Sequence, residues 1–311
     1  MRMSPRPALA LLTVSLILAG ARADIARAQA QGQSQTPLPG YPTEITQVRF
    51  NSGQSIVPYY EGWIKNQDGT FDLVFGYFNR NYKEELAIPA GANNKVEPGN
   101  ADQGQPTYFL PRRQRFLFRV RVPANFGKGI VTWTITANGK TEKAFGDLIA
   151  PEEITERVVA TNGNFDPGLD DPNTPPKVTL TPVTAATTSA PLALVTSIAD
   201  DGLPKPRAAP RPVAPPPPAK PGQPNFGAQV NSSGGGRPTG LRISWLQYRG
   251  PGKVTFEPAG QTQVANGQAT TTARFSAPGD YVLIGSATDG QIQTKVKVNV
   301  TVTGGSTAGG Q

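Results

Sequence analysis

The chain has 311 residues, with 30 Lys and Arg against 22 Asp and Glu for a formal charge of +8, and it is rich in Gly (34) and Pro (32). It contains neither cysteine nor histidine, which excludes disulfides, thiol nucleophiles, thiolate metal sites, imidazole bases, Ser–His–Asp triads and His-rich zinc centres. Turn formers at this density predict many short strands, and the length suits two domains.

Residues 1–30 read as a secretory signal peptide. Arg2 and Arg6 precede an apolar run from Ala8 to Gly20, and small-x-small cleavage options follow at Ala21-Arg22-Ala23, Ala26-Arg27-Ala28 and Ala28-Gln29-Ala30. The apolar run is shorter than the roughly 20 residues that span a bilayer. Losing Arg2, Arg6, Arg22 and Arg27 together with Asp24 takes the formal charge from +8 to +5. So modest an excess makes no case for nucleic acid. The expectation is export to the periplasm or beyond, a soluble mature chain and no stable membrane insertion after cleavage.

Residues 31–40 form a polar, flexible lead-in, and residues 41–159 read as an N-terminal β-sandwich. Asp68-Gly69 marks a turn before Thr70 to Phe75. Phe116, Phe118, Val120 and Val122 alternate against Arg113, Arg115, Arg119 and Arg121, which predicts a strand with an apolar and a cationic face. Val131, Trp133 and Ile135 alternate against three threonines, and Asn138-Gly139 then signals a hairpin returning through Phe145. One short helical turn is expected, at Pro151 to Ile154. Residues 160–176, with Asn-Gly-Asn, Asp-Pro-Gly and Asp-Asp-Pro-Asn, break the pattern as a linker.

The second module runs over 177–303. Strands are expected at Lys177 to Leu180, Pro191 to Ala199, Leu241 to Trp245, Lys253 to Phe256, Ala269 to Phe275, Tyr281 to Ala287 and Thr294 to Val302. In the last, Val296 to Val302 alternate against Lys295, Lys297, Asn299 and Thr301. A proline-rich basic insertion, 203–240, interrupts it with 11 prolines and no acidic residue, a composition for extended PPII rather than a core. Residues 304–311 form a flexible tail. The fold class is therefore all-β: two antiparallel Ig-like sandwiches joined by a loop, with a disordered proline-rich insertion in the second.

The second module resembles the PKD and Ig-like repeats of bacterial extracellular proteins. The resemblance rests on Asp200-Asp201-Gly202-Leu203-Pro204, Ile243-Ser244-Trp245, Gly250 to Phe256, Ala273 to Leu283 and Ala287-Thr288-Asp289-Gly290. The first module is similar to another recurrent extracellular bacterial β-unit, through Phe75 to Asn79, Ile88 to Asn94, Asp102 to Thr107 and Val131 to Thr134. Both resemblances imply adhesive or surface-attached architectures without catalytic residues. The residues themselves place Trp133 and Trp245 in the two cores and Tyr281 at a tyrosine corner.

Each candidate site has a plainer alternative. Arg113, Arg115, Arg119 and Arg121 project from one strand face, with neighbours about 6–7 Å apart, a spacing for the carboxylates or sulfates of an acidic polysaccharide; alternatively they pair with Glu84 or Glu85. Tyr59 and Tyr60, with Trp63, Tyr77 and Tyr82, supply a sugar-stacking platform or core aromatics; adjacent strand residues such as Tyr59 and Tyr60 cannot both point inward. Asp166, Asp170 and Asp171 with Asn164 and Asn173, and Asp200, Asp201 and Asp289, are candidate Ca²⁺ ligands or ordinary Asx turns. The insertion docks on an anionic surface or a PPII reader, or is a solvated loop. A glycosidase with two carboxylates is the enzyme class the composition leaves open, and no pair identifies itself. The expected role is a secreted, non-catalytic interaction or structural module whose partner is an envelope protein or polysaccharide, needing no cofactor save possible calcium, with its oligomeric state open.

Overall fold

The computed structural model describes residues 49–164, 170–205 and 240–305. The signal peptide, the lead-in, the first residues of the N-terminal module (41–48), Asp166, the insertion from 206 to 239 and the tail from 306 lie outside the described residues.

The first module contains, in chain order, β1 (Ile56–Lys65), β2 (Phe71–Asn79), β3 (Leu86–Ala87), β4 (Asn94–Glu97), β5 (Tyr108–Phe109), β6 (Arg112–Val122), β7 (Val131–Ala137) and β8 (Lys140–Gly146). They form antiparallel sheets β1-β2-β6 and β4-β7-β8, with a small β3-β5 pair beside them. The β7–β8 hairpin turns at Asn138 and Gly139, both at positive φ (50° and 74°), the conformation a two-residue turn demands. Trp133 is fully buried between the sheets, its ring 4.8 Å from Phe118 and 6.2 Å from Phe75, both edge-on. Its indole N–H donates to Asn94 Oδ1 at 2.9 Å, so the buried polar group is satisfied.

Strand β6 departs from simple alternation. Phe75 pairs with Phe118 but Tyr77 pairs with Gln114, so β6 carries extra residues in a bulge, and Phe116 adopts φ 50°. Leu117 enters the core in its place, while Phe116 turns to the arginine side of the sheet. There it packs with Ile64 and Val74 beneath Ile154, Val158 and Val159. The expectation that Phe116 shares a face with Phe118 is therefore corrected. Gly76 makes room for the bulge: a Cβ there would lie 2.4 Å from the Gln114 carbonyl.

The covering segment comprises a 3-10 turn, Ala150–Glu152, and a short helix α1, Glu156–Ala160. Thr155 caps α1, accepting the Val158 N–H at 3.3 Å. This helix lies beyond the single turn expected at 151–154; the Thr155-Glu156 cap is the signal for it.

The second module contains β9 (Lys177–Leu180), β10 (Ala185–Thr187), β11 (Leu192–Ala199), β12 (Arg242–Arg249), β13 (Val254–Glu257), β14 (Gln261–Gln263), β15 (Gln268–Phe275), β16 (Gly279–Thr288) and β17 (Gln293–Thr303). Its sheets are β10-β17-β16-β12-β14 and β13-β15-β11-β9. The incoming segment starts in one sheet as β9 and crosses to the other as β10. That crossing makes β10 run parallel to β17, where purely antiparallel pairing was expected. Ile243, Trp245, Tyr281, Leu283, Val298, Val300 and Val302 face inward. Tyr281 donates its hydroxyl to the Ala277 carbonyl at 2.7 Å and accepts the Gly252 N–H at 3.1 Å, a tyrosine corner. The chain is thus all-β, with two Ig-like sandwiches.

The outward face of the five-stranded sheet is not left to solvent. Tyr248 and Ile284 are 2% and 1% exposed and belong to the core of the first module, with Leu246 and Val282 packed alongside. Burial of this kind contributes about 1.5–3 kcal/mol per large side chain.

Candidate functional site

The cationic face of β6 carries its partners with it. Arg113 Nη2 lies 2.9 Å from Glu61 Oε1 and Arg115 Nε 3.5 Å from Glu61 Oε2, and the Glu61 side chain is only 4% exposed. Arg121 grips Asp72 through Nε and Nη2 at 2.9 and 3.3 Å. Arg119 lies 3.6 Å from Asp72 and donates two hydrogen bonds to Glu156 of α1. Burial pushes the Asp72 carboxyl up, but hydrogen bonds from Arg121 and Asn66 and the arginine charges outweigh it, so the group is held below the usual carboxylate range.

The expected partners of the ladder, Glu84 and Glu85, are elsewhere. Glu84 accepts the Gly53 N–H at 2.8 Å, and Glu85 accepts the Tyr108 hydroxyl at 2.6 Å and pairs with Lys253. The register explains this: β6 neighbours β2, with β1 next across, so acids on those strands reach it, whereas Glu84 and Glu85 follow the end of β2.

Tyr59 and Tyr60 point to opposite sides. Tyr59 is 39% exposed, with the Arg113 guanidinium 3.6 Å from its ring centroid. Tyr60 packs on Phe75 and donates to the Asp147 carbonyl. Trp63 and Tyr77 are core residues: the Trp63 indole donates to the Ile149 carbonyl at 2.9 Å, and the Tyr77 hydroxyl accepts the Leu110 N–H at 2.8 Å. Tyr82 is exposed, stacked with Arg112 and Arg49.

The aspartates are spread over separate turns. Asp171 accepts from Arg157 at 3.1 Å and from the Gln291 side chain at 2.6 Å, while Asp170 is exposed. Asp201 accepts from the backbone N–H and hydroxyl of Thr174 and from the Leu203 N–H. Asp200 and Asp289 cap their own turns, at Gly202 and at Gln291 and Ile292. Burial pushes the Asp200 carboxyl up, and the charges of Asp289 and Asp201 add to it. Among the described residues, no three His, Cys, Asp or Glu side chains converge into an arrangement that could hold a metal ion.

Sequence reasoning missed the seam between the modules. The Tyr248 hydroxyl donates to the Gly104 carbonyl, and the Tyr248 carbonyl accepts the Thr107 N–H at 3.1 Å. Arg249 donates to the Gln105 carbonyl at 2.8 Å and clamps Asp102 through both terminal nitrogens at 3.0 and 2.7 Å. Lys295 donates to the Arg115 carbonyl at 2.7 Å and the Phe116 carbonyl at 3.3 Å, two groups of the β6 bulge. Burial pushes its ammonium down to about 8, against the pull of Glu61. Lys297 lies 4.6 Å from the Tyr248 ring centroid. An alternating Lys–Val strand shows no sign of this, because alternation reveals a polar face but not what that face meets.

Two open clefts are present among the described residues. One, of about 420 Å³, is lined between Leu86 and Asn93 and between Thr136 and Asn138, with no ionisable side chain. The other, of about 530 Å³, lies on the seam near Thr107, Arg249 and Asn299; its single carboxylate, Asp280, accepts the Thr301 hydroxyl at 2.7 Å.

No protein-family model and no curated protein matches the chain. Solved structures similar to it include domains 4 and 5 of the S-layer protein SbsC, 10% identical, covering 80% of this chain and 98% of that one with a TM-score of 0.24. The D00-D0 domain of intimin is 11% identical, covering 79% and 97% with a TM-score of 0.23. An endo-fucoidan hydrolase from glycoside hydrolase family 107 is 12% identical, covering 83% of this chain and 28% of its own with a TM-score of 0.22. Overlays at these scores carry no argument, and the Ig-like assignment rests on the sheet order and the tyrosine corner.

Proposed function

We propose that this chain is an exported, non-catalytic pair of β-sandwiches that serves as an interaction or structural component of the cell envelope or its surroundings. The observation that carries the reading is the seam. Tyr248 and Ile284 sit in the core of the neighbouring module, with Arg249 and Lys295 bonded to its backbone. Such a seam holds two sandwiches at one fixed angle, which suits a part that spaces or presents surfaces. The signal-peptide pattern of residues 1–30 and the resemblance of the second module to PKD-type repeats support the exported setting.

Support for a non-catalytic role is chemical. The chain has no imidazole or thiol, and neither cleft offers the two facing carboxylates that glycoside hydrolysis requires. Neither a cofactor nor a metal enters the reading. The second reading, a carbohydrate-binding module, loses the β6 ladder as its ligand face, because each of those arginines is already ion-paired with Glu61, Asp72 or Glu156.

Cell fractionation combined with envelope pull-down tests the proposal. The expected result is protein outside the cytoplasm that co-purifies with an envelope component and turns over no glycoside. Retention in the cytoplasm, or hydrolysis abolished by one Asp or Glu substitution, overturns it.

A further inference from the structure

At one end of the sheet that carries the ladder, the arginines are partnered differently. Arg112 opens β6 at φ 69°, a left-handed conformation that takes it out of the strand alternation. Its guanidinium lies 4.0 Å from the Tyr82 ring centroid and 4.7 Å from that of Phe78. Arg49 lies 5.3 Å from the same Tyr82 ring. Among the described residues, the Arg112 side chain makes one hydrogen bond, to the Arg80 carbonyl at a long 3.4 Å. Among the described residues neither Arg49 nor Arg112 has a carboxylate within ion-pair distance, whereas Arg113, Arg115, Arg119, Arg121 and Arg249 all do. Phe50, 51% exposed, is tied to Tyr82 through its backbone, its carbonyl accepting the Tyr82 N–H at 2.9 Å.

We propose that Arg49, Arg112, Tyr82 and Phe50 form a binding site for an acidic polysaccharide bearing uronate carboxylates. A guanidinium laid against an aromatic ring keeps its N–H fork turned away from the ring and pre-ordered, so little side-chain entropy remains to be lost on binding. The fork matches a planar carboxylate with two parallel hydrogen bonds. The exposed Phe50 ring supplies apolar surface for the C–H face of a sugar. Single-stranded nucleic acid is the poorer fit, because the guanidinium groups held against Phe78 and Tyr82 take up ring surface that stacking bases would need. The inference rests on the reading of the chain as an exported module and gives that module a ligand class.

The test is calorimetric titration of the purified protein with polygalacturonate, with neutral dextran, single-stranded DNA and anionic phosphatidylglycerol vesicles in parallel. Polygalacturonate is expected to bind and the other three to bind at least tenfold more weakly. Arg49→Ala with Arg112→Ala is expected to weaken polygalacturonate binding tenfold or more without moving the thermal midpoint. Arg112→Lys, which keeps the charge and loses the fork, falls between. Unchanged binding by the double variant, equal binding of DNA or vesicles, or no binding of polygalacturonate overturns the site. Failure here with the protein still found in the envelope leaves the module reading standing; cytoplasmic retention with binding intact sinks that reading alone.

Discussion

Strands β6 and β17 read alike: each alternates apolar residues with a polar face that carries a row of cations, Arg113, Arg115, Arg119 and Arg121 in β6 and Lys295 and Lys297 in β17. Their fates differ. In β6 every member of the row is ion-paired inside its own module, to Glu61 of β1, Asp72 of β2 or Glu156 of α1. In β17, among the described residues, Lys295 has no carboxylate within ion-pair distance; it crosses to the other module and donates to two backbone carbonyls, with Glu61 of that module pulling on it from farther off. The difference teaches that a cationic stripe takes its role from its neighbours: one row is a covered outer face, the other part of a joint.

The largest effect is expected at the joint. Tyr248→Ala removes a buried ring and its hydrogen bond to Gly104, and should cost about 3–5 kcal/mol. Urea unfolding followed by tryptophan fluorescence should then split into two transitions, since Trp133 and Trp245 report separate cores. A single transition at the native midpoint would mean that the seam contributes nothing.

Glu61→Gln probes the other row. It leaves Arg113 and Arg115 without their buried counter-charge. Because both arginines are about one-third exposed, the expected loss is about 1–2 kcal/mol, below the 3–5 typical of a fully buried pair. Denaturant midpoints should show a loss that persists in 1 M salt, on the order of a 3 Å screening length; a loss that vanishes there would class Glu61 with ordinary surface pairs.

The two rows should also part company with pH. Lys295 titrates at about 8 when folded against 10.5 ordinarily. Above about pH 8 the unfolded chain therefore holds the extra proton, and stability should rise with pH. Between pH 8 and 9.5 the native protein is expected to gain up to about 1 kcal/mol per unit relative to Lys295→Met. A flat difference across that window would place the ammonium in water.

The smallest effect is expected near the turns that carry Asp200, Asp201 and Asp289. Their carboxylates are spent on Asx turns and on Thr174, so chelator should leave the thermal midpoint unchanged. A rise of several degrees with millimolar Ca²⁺ would restore calcium to the account.

Much of the fold was legible in local signals. Val131 to Ala137 with Asn138-Gly139 reads as a hairpin because the rules for pleat and turn involve only neighbours in sequence. Tyr281 after Pro278-Gly279-Asp280 reads as a corner for the same reason. Phe116 was not legible: its reversal depends on a bulge that Gly76, on another strand, makes room for. That Arg112 lies against rings and not a carboxylate was equally hidden, since it depends on which segments the fold brings near it among the described residues.

By itself, the sequence determined the all-β class, the turn positions, the two aromatic cores and the chemistries that a chain without imidazole or thiol forgoes. Only the tertiary structure decided which cations meet carboxylates, which one is buried at a seam and which lie against aromatic rings. The physical reason is range. Strand period and turn conformation are set within a few residues, whereas the partner of a charge is set by register and packing between segments 50 to 180 positions apart, such as Arg113 with Glu61 and Lys295 with Arg115.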